Sequence, residues 1–277
     1  MPELPEVEVV TQGLRPHLVG KKIVSFWHSG KPLRYPVPFG KIKQEMLEKT
    51  ITTVTRRAKF LQITLDSGAE LIIHLGMTGN LGFFGKKSRR KPHTHLEWDL
   101  DNGKVLRYQD VRRFGSAKML TAAEAKNKEK TIFCNVGPEP FSPAFTATYL
   151  QTRAKKRSIS VKQFLMTNQI VCGIGNIYAN ESLFHAGINP RTPAKNLSQQ
   201  QWSFLVQKIR DVLTHAIECG GSTISDFLNA GQKSGYFQIN FAVYGKNGQK
   251  CSHCQAIIEK QVIAGRASYY CPQCQKR

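Results

Sequence analysis

Apolar residues change their spacing once along this chain, near residue 133. Before that point, short stretches alternate apolar with polar positions or run apolar throughout: "KIVSFWHSG", "ITTVTRRAKFLQITL", "AELIIHLG", "HLEWDLDNGKVLRYQD" and "AKML", all within residues 22–118. Turn-forming residues separate them, and Asp101-Asn102-Gly103 is a hairpin signal. Successive antiparallel strands without intervening helices predict a β-sandwich or barrel, behind a short opening helix. "FCNVGPEPFSP" (133–143), with three prolines and a glycine, reads as a linker. Beyond it the apolar spacing becomes three and four, which predicts helices over "AFTATYLQTRA", "SVKQFLMTNQ", "NIYANESLFHAG" and "LSQQQWSFLVQKIRDVLTHAIECGG". Ser198 heads the last of these as an N-cap, and Gly220-Gly221 end it. The expected fold is therefore α+β in two domains. Residues 1–132 form a β-sandwich with its leading helix, 144–242 a helical domain, and 243–277 a cysteine-bearing hairpin. Within the helical domain, residues 222–242 are glycine-punctuated and polar-aromatic, and read as a loop.

Charge narrows the partner. Forty Lys and Arg against nineteen Asp and Glu leave a net +21. An excess of this size points to a polyanion, nucleic acid first. An anionic membrane surface is the weaker alternative, since no strongly basic amphipathic helix is present. No apolar run approaches the roughly 20 residues that span a bilayer. The N-terminus lacks the charged-then-apolar pattern of an export leader, and a cytoplasmic protein is expected. "MPELPEVEVV" instead opens on two prolines and three carboxylates. Removal of Met1 would leave a proline whose α-nitrogen is a secondary amine.

The seven cysteines divide unevenly. Cys134, Cys172 and Cys219 lie in apolar or mixed sequence, as small hydrophobes do. Cys251-x2-Cys254 and Cys271-x2-Cys274, sixteen residues apart, have the spacing of two knuckles that give four thiolates to one structural Zn²⁺. That pattern and the absence of a disulfide framework suit a reducing compartment. His253 lies inside the first knuckle, but four thiolates already complete the shell. Between the knuckles, two strands should turn near Ala264-Gly265-Arg266 and hold Arg266 at the tip. A solvated arginine is the ordinary reading of such a position; in so basic a chain, contact with phosphate is the sharper one.

"CGIGNIYANE" (172–181) sets Gly173, Gly175 and Asn176 between two helical patterns, an arrangement that can present backbone N–H groups to an anion. Glycines also serve helix packing, so the motif is weak by itself. Lys162 lies on the preceding helix. Cations cluster at Arg56-Arg57-Lys59, Lys86-Lys87-Arg89-Arg90-Lys91 and Lys155-Lys156-Arg157, mostly as solvated surface with salt-dependent affinity for DNA. Lys59 stands apart, because it falls in a strand pattern among apolar neighbours.

Five motifs occur in order: "PELPEVE", "LGMTG", "DVRRFG", "GIGNIYANE" and the terminal paired cysteines. Together they resemble the bacterial formamidopyrimidine-DNA glycosylases over essentially the whole chain. The resemblance implies a monomeric, bifunctional base-excision repair enzyme, nucleoid-associated, acting on damaged double-stranded DNA. Such an enzyme excises 8-oxoguanine and formamidopyrimidines and then cuts the abasic strand by β,δ-elimination. It also implies a helix–two-turn–helix element in the second domain. Pro2 then becomes the nucleophile at C1′ of the deoxyribose. An α-amino group has a pKa of about 8 and is roughly a tenth unprotonated at neutral pH, whereas a lysine near 10.4 would need heavy desolvation. A helix-starting role is the plainer reading of Pro2. Glu3 resembles the acid that protonates the sugar ring oxygen. Glu6, one helical turn on, would orient the site, and the helix dipole could by itself account for Glu8. Lys59 resembles the lysine that contacts the lesion phosphate and assists catalysis. The target base must leave the stack, and Met77, Arg112 and Phe114 resemble the trio that fills the hole. In an extended segment Arg112 and Phe114 would point one way and Arg113 the other. Core packing is the usual role of a Met and a Phe. His93, Asn176 and Lys162 carry over as DNA ligands, Arg266 as a phosphate ligand of the catalytic set, and Gly231, Gly235, Tyr236 and Phe237 as the loop over the flipped base. Cys172 replaces a smaller residue. Two alternatives remain open at this point: an endonuclease VIII-like enzyme for oxidised pyrimidines, and a noncatalytic zinc-ribbon DNA binder.

Overall fold

Leu4, Val7, Val10, Leu14 and Leu18 recur at helical spacing, and Leu4–Leu18 forms helix α1 with all five side chains buried. The proline that starts this helix is Pro5, in its first turn, where a missing N–H costs nothing. Pro2 lies outside it, and Glu3 is the N-cap. The computed structural model describes residues 1–222 and 241–276. They fall into two units, Met1–Cys134 with residues 219–222, and Asn135–Glu218 with residues 241–276.

In the first unit α1 lies against two sheets. Strands β1 (Ile23–His28), β2 (Ile51–Arg57), β3 (Phe60–Leu65), β4 (Glu70–His74), β5 (Gly79–Gly85), β6 (Thr94–Leu100), β7 (Lys104–Asp110) and β8 (Ser116–Leu120) follow in chain order. They pair as β1-β6-β7-β5 and β2-β3-β4-β8, antiparallel throughout. One core joins Leu61, Ile63, Leu71 and Ile73 of one sheet to Leu81, Leu96, Trp98 and Leu106 of the other. This is the expected sandwich. Two elements depart from the alternation: α2 (Phe39–Met46), which buries only Ile42 and Met46, and β5, whose sequence GNLGFFG has three glycines. Short helices α3 (Ala122–Lys126) and α4 (Lys128–Thr131) follow β8.

The second unit opens with an irregular stretch that is nonetheless bonded in place: Gly137 N–H donates to Asn168 O at 2.8 Å and Cys172 N–H to Pro138 O at 3.1 Å. The Cys172 thiol lies 3.2 Å from Glu139 Oε1. Helices α5 (Ala147–Ala154) and α6 (Val161–Leu165) are capped by Thr146 and Ser160. Two turns over residues 166–175 lead to α7 (Asn176–His185). Helix α8 (Gln199–Glu218) begins at Ser198, where Ser198 Oγ accepts Gln201 N–H and the Gln201 amide oxygen accepts Ser198 N–H. It ends at Gly220 and Gly221, both left-handed. A two-stranded ribbon, β9 (Glu259–Ile263) and β10 (Arg266–Tyr270), closes the unit, with α7 packed on β10.

Candidate active site and metal centre

Pro2 and Glu3 are buried at the head of α1, behind an exposed Met1. Glu6 organises this end. Its Oε2 accepts Glu3 N–H at 2.8 Å, and its Oε1 accepts Ser222 N–H and Oγ–H at 2.9 and 2.8 Å. Glu8 is not merely a helix-dipole residue: it pairs with Arg56 of β2 at 2.8 Å. Arg56 in turn donates to Ala58 O at 2.9 Å.

That carbonyl belongs to a hairpin. Lys59 is not in a strand, as its apolar neighbours suggested; Ala58 and Lys59 are the two-residue turn between β2 and β3, with Ala58 at φ 54°. A strand-like stretch of fifteen residues with no glycine or Asn-Gly pair hides such a turn from the sequence.

A cavity of about 570 Å³ is lined by Met1, Arg34, His74, Met77, Arg112 and Phe114, among others. Met77 and Phe114 are 41% and 45% exposed, which removes the core-packing reading. Arg112 stacks its guanidinium over the Phe114 ring at 4.6 Å. The segment is not extended, however. Arg113 adopts φ 55° and its N–H turns back to Asp110 O, so Arg113 lines the same cavity rather than facing away. Gly76, at φ 70°, meets the Phe114–Gly115 backbone so closely that any Cβ would overlap it.

Two wall residues were not visible as candidates in the sequence. His74, at the end of β4, is held down to about 4 by burial first, then by the nearby charges of Lys59 and Arg34. It is neutral, and its Nδ1 accepts Gly76 N–H at 3.0 Å. Arg34 sits in a proline-rich loop, its N–H on Gly115 O. A histidine closing an apolar strand was the one signal available.

A second cavity, about 410 Å³, is lined by Lys31, His93 and Arg113 together with Ser29, Thr94 and His95. His93 is exposed and at φ 66°. His95 is buried, which lowers its pKa; its Nε2 lies 3.0 Å from the Asp110 carbonyl and its Nδ1 3.1 Å from Ser29 Oγ. A carbonyl can only accept, so Nε2 carries the proton and Nδ1 accepts from the serine.

In the second unit the four cysteine sulfurs lie within 4.8 Å of one another. Sγ separations of 3.8 Å for Cys251–Cys274 and 3.3 Å for Cys254–Cys271 suit a tetrahedron with Zn–S bonds of about 2.3 Å, whose edges are about 3.8 Å. Backbone N–H groups of His253 and Cys274 point at Cys251 and Cys271 sulfur, as they do toward thiolates. These residues fit one structural zinc ion. His253 is exposed and lies tilted against Phe184 and edge-on to His185 instead. Ala264 and Gly265 form the ribbon's turn, both at positive φ, so Arg266 flanks the turn as the exposed first residue of β10.

Lys162 is a correction. It is fully buried, with Nζ donating to Ala267 O at 2.8 Å and Ser268 Oγ at 2.6 Å. An ammonium so enclosed anchors α6 to β10 and does not present itself to an external phosphate. Asn176, first residue of α7, has a buried side-chain Oδ1 that accepts no hydrogen bond among the described residues. Gly231, Gly235, Tyr236 and Phe237 lie outside the described residues.

The family model "Formamidopyrimidine-DNA glycosylase N-terminal domain" matches residues 1–117, the "Formamidopyrimidine-DNA glycosylase H2TH domain" residues 136–228, and the "Zinc finger found in FPG and IleRS" residues 248–277. The chain belongs to the formamidopyrimidine-DNA glycosylase family. Family members from Glaesserella parasuis and Photobacterium profundum are both 44% identical, over 100% of this chain and 99% and 100% of their own. Among solved structures, a Lactococcus lactis FPG mutant in complex with a Fapy-dG containing DNA is 34% identical with a TM-score of 0.91, covering 100% of both chains. The Lactococcus lactis Fpg with an abasic site containing DNA gives 33% and 0.90, over 99% of this chain and 100% of that one. Among the described residues no helix is long and apolar enough to cross a membrane.

Proposed function

We propose that this family member excises oxidised purines from duplex DNA through Pro2 and then cleaves the abasic strand. With Met1 removed, the Pro2 nitrogen attacks C1′ as the C1′–N bond to the base breaks, its proton passing to the departing base; the C1′–O4′ bond then opens to an iminium as Glu3 protonates the ring oxygen. The resulting iminium withdraws electrons from C2′; loss of a C2′ proton expels the 3′-phosphate, and a second elimination expels the 5′-phosphate. Lys59 and Arg266 act at the phosphates. Glu6 holds the Glu3 backbone, so its part is to orient. The single observation that carries this reading is the cavity in which the N-terminal residue shares a wall with Met77, Arg112 and Phe114. Exposed apolar side chains beside an amine terminus suit filling a vacated base site while C1′ is attacked. His93, on the adjoining cavity, binds backbone phosphate. Asn176 does so at a helix N-terminus, where its amide oxygen accepts no hydrogen bond among the described residues. The protein works as a monomer in the cytoplasm, on the nucleoid.

Borohydride reduction during turnover of an 8-oxoguanine:C duplex should trap one covalent adduct, with peptide mapping placing it on Pro2. An adduct on a lysine would overturn the assignment. Intact mass in the same sample reports Met1 removal. A Lactococcus lactis Fpg structure is described with an oxidized pyrimidine containing DNA, so a thymine glycol:A duplex belongs in the assay. Faster incision of that duplex would favour the pyrimidine reading.

A further inference from the structure

Asp110 ends β7 with its carboxylate fully buried and in no ion pair among the described residues. It is satisfied by neutral donors. Oδ1 accepts the Thr78 hydroxyl at 2.5 Å, and Oδ2 accepts Gly115 N–H at 2.8 Å and the Tyr108 hydroxyl at 3.1 Å. The Thr78 oxygen also accepts Arg112 N–H at 3.0 Å. One hydroxyl thus joins the loop that carries Met77 to the loop that carries Arg112 and Phe114. One carboxylate closes the second loop at both ends, since Asp110 precedes it and Gly115 follows it. Gly76 lies against the Phe114–Gly115 backbone and completes the seam.

We propose that Thr78 and Asp110 are positioning residues for the hole-filling trio, and that discrimination of the base opposite the lesion depends on the Thr78 hydroxyl. The proposal rests on the functional reading above, in which Arg112 meets the orphaned base. The reason is geometric. Arg112 can test the opposite base only if its backbone is fixed relative to Met77 and Phe114, which define where the hole lies. The Thr78 hydroxyl sets that relation directly, because it accepts from the Arg112 backbone and donates to the carboxylate that closes the same loop. Removing it leaves Asp110 Oδ1 and Arg112 N–H without this partner, Oδ1 in a buried site, so the two loops must part to reach other partners or water.

The test uses full-length, Met1-processed protein on three substrates: 8-oxoguanine opposite C, 8-oxoguanine opposite A, and a single-stranded abasic oligonucleotide that has no opposite base. Thr78→Val should lower kcat/KM on 8-oxoguanine:C by about tenfold to a hundredfold and bring the C-to-A ratio toward one. Abasic single-strand incision should stay within about twofold of the parent. Thr78→Ser, which keeps the hydroxyl, should restore both rate and ratio. A Val variant that incises the abasic strand normally yet keeps the parental C-to-A ratio overturns the proposal. So does a Ser variant that behaves like Val, or a Val variant that loses all three substrates in proportion, since the role is then structural. Failure of the parent protein on both oxidised duplexes would instead sink the enzymatic reading itself.

Discussion

His74 shows burial and charge acting together on one imidazole. Its pKa, lowered from 6.5 to about 4, means the unfolded chain binds the proton more readily than the folded one. Stability from this group is present above pH 6.5 and is lost as pH falls from about 6.5 toward 4. The full shift corresponds to roughly 3 kcal/mol. His74→Gln should therefore flatten the fall in melting temperature between pH 7 and pH 4.5; an unchanged slope would show that the imidazole is not held neutral. Little of this could be read in advance. Pro2 and Glu3 stand out in a short opening motif, whereas the proposed roles of Met77, Arg112 and Phe114 came only with the family resemblance. The environment of His74 depends on Lys59, which reaches it only because β2 and β3 fold back at Ala58. Lys162 failed for a related reason: a lysine on an amphipathic helix looks solvated until the strand that covers it is known.

At the level of elements, the zinc ribbon is tied to its helical support by polar contacts as well as by packing. Tyr269 N–H donates to Asn180 Oδ1 at 2.8 Å, Asn189 Nδ2 to Gln275 O at 2.9 Å, and Lys162 reaches β10 from below. Cys271→Ala removes one of four ligands. The variant should lose zinc, measured by metal analysis, and DNA affinity in parallel; full affinity without metal would show that the ribbon does not support the interface. Elements with strong periodicity were legible: α1, α8 and the paired cysteines are where their spacing puts them. The strand β5 was not, because glycines replace its alternating residues and its place is fixed by pairing with β7. The linker pattern at 133–143 hid an ordered stretch, since prolines and glycine signal the absence of regular structure, not the absence of packing.

For the whole molecule, the cations behind the +21 charge that reach DNA phosphates set how binding responds to salt. Lys86, Lys87, Arg89 and Lys91 are exposed on the loop between β5 and β6. That loop is fixed from within: the buried Arg107 donates to Ser88 Oγ, Ser88 O and Arg89 O. Arg90, by contrast, is engaged with Glu97 and lies over Trp27. Replacing the four exposed cations with Gln should make log K against log salt shallower by up to about 3.6, at about 0.9 for each phosphate no longer neutralised. The single-turnover rate of bound lesion should not change. An unaltered slope would place the loop away from the DNA. Composition announced the partner, but which cations are held rigidly outward is a property of the folded chain.

The approach of Gly76 to the Phe114–Gly115 backbone also limits how this protein can drift. At position 76 a single methyl group would meet the Phe114–Gly115 backbone, and at 115 it would meet the Tyr108 hydroxyl and the His74 carbonyl, so neither glycine can be replaced without moving a neighbour that the other loop depends on. A saturation library selected for lesion removal should return glycine at both sites, with broad tolerance at neighbouring exposed positions such as Val111. New specificities would have to arise by exchanging the tips of the loops while their seam stays fixed.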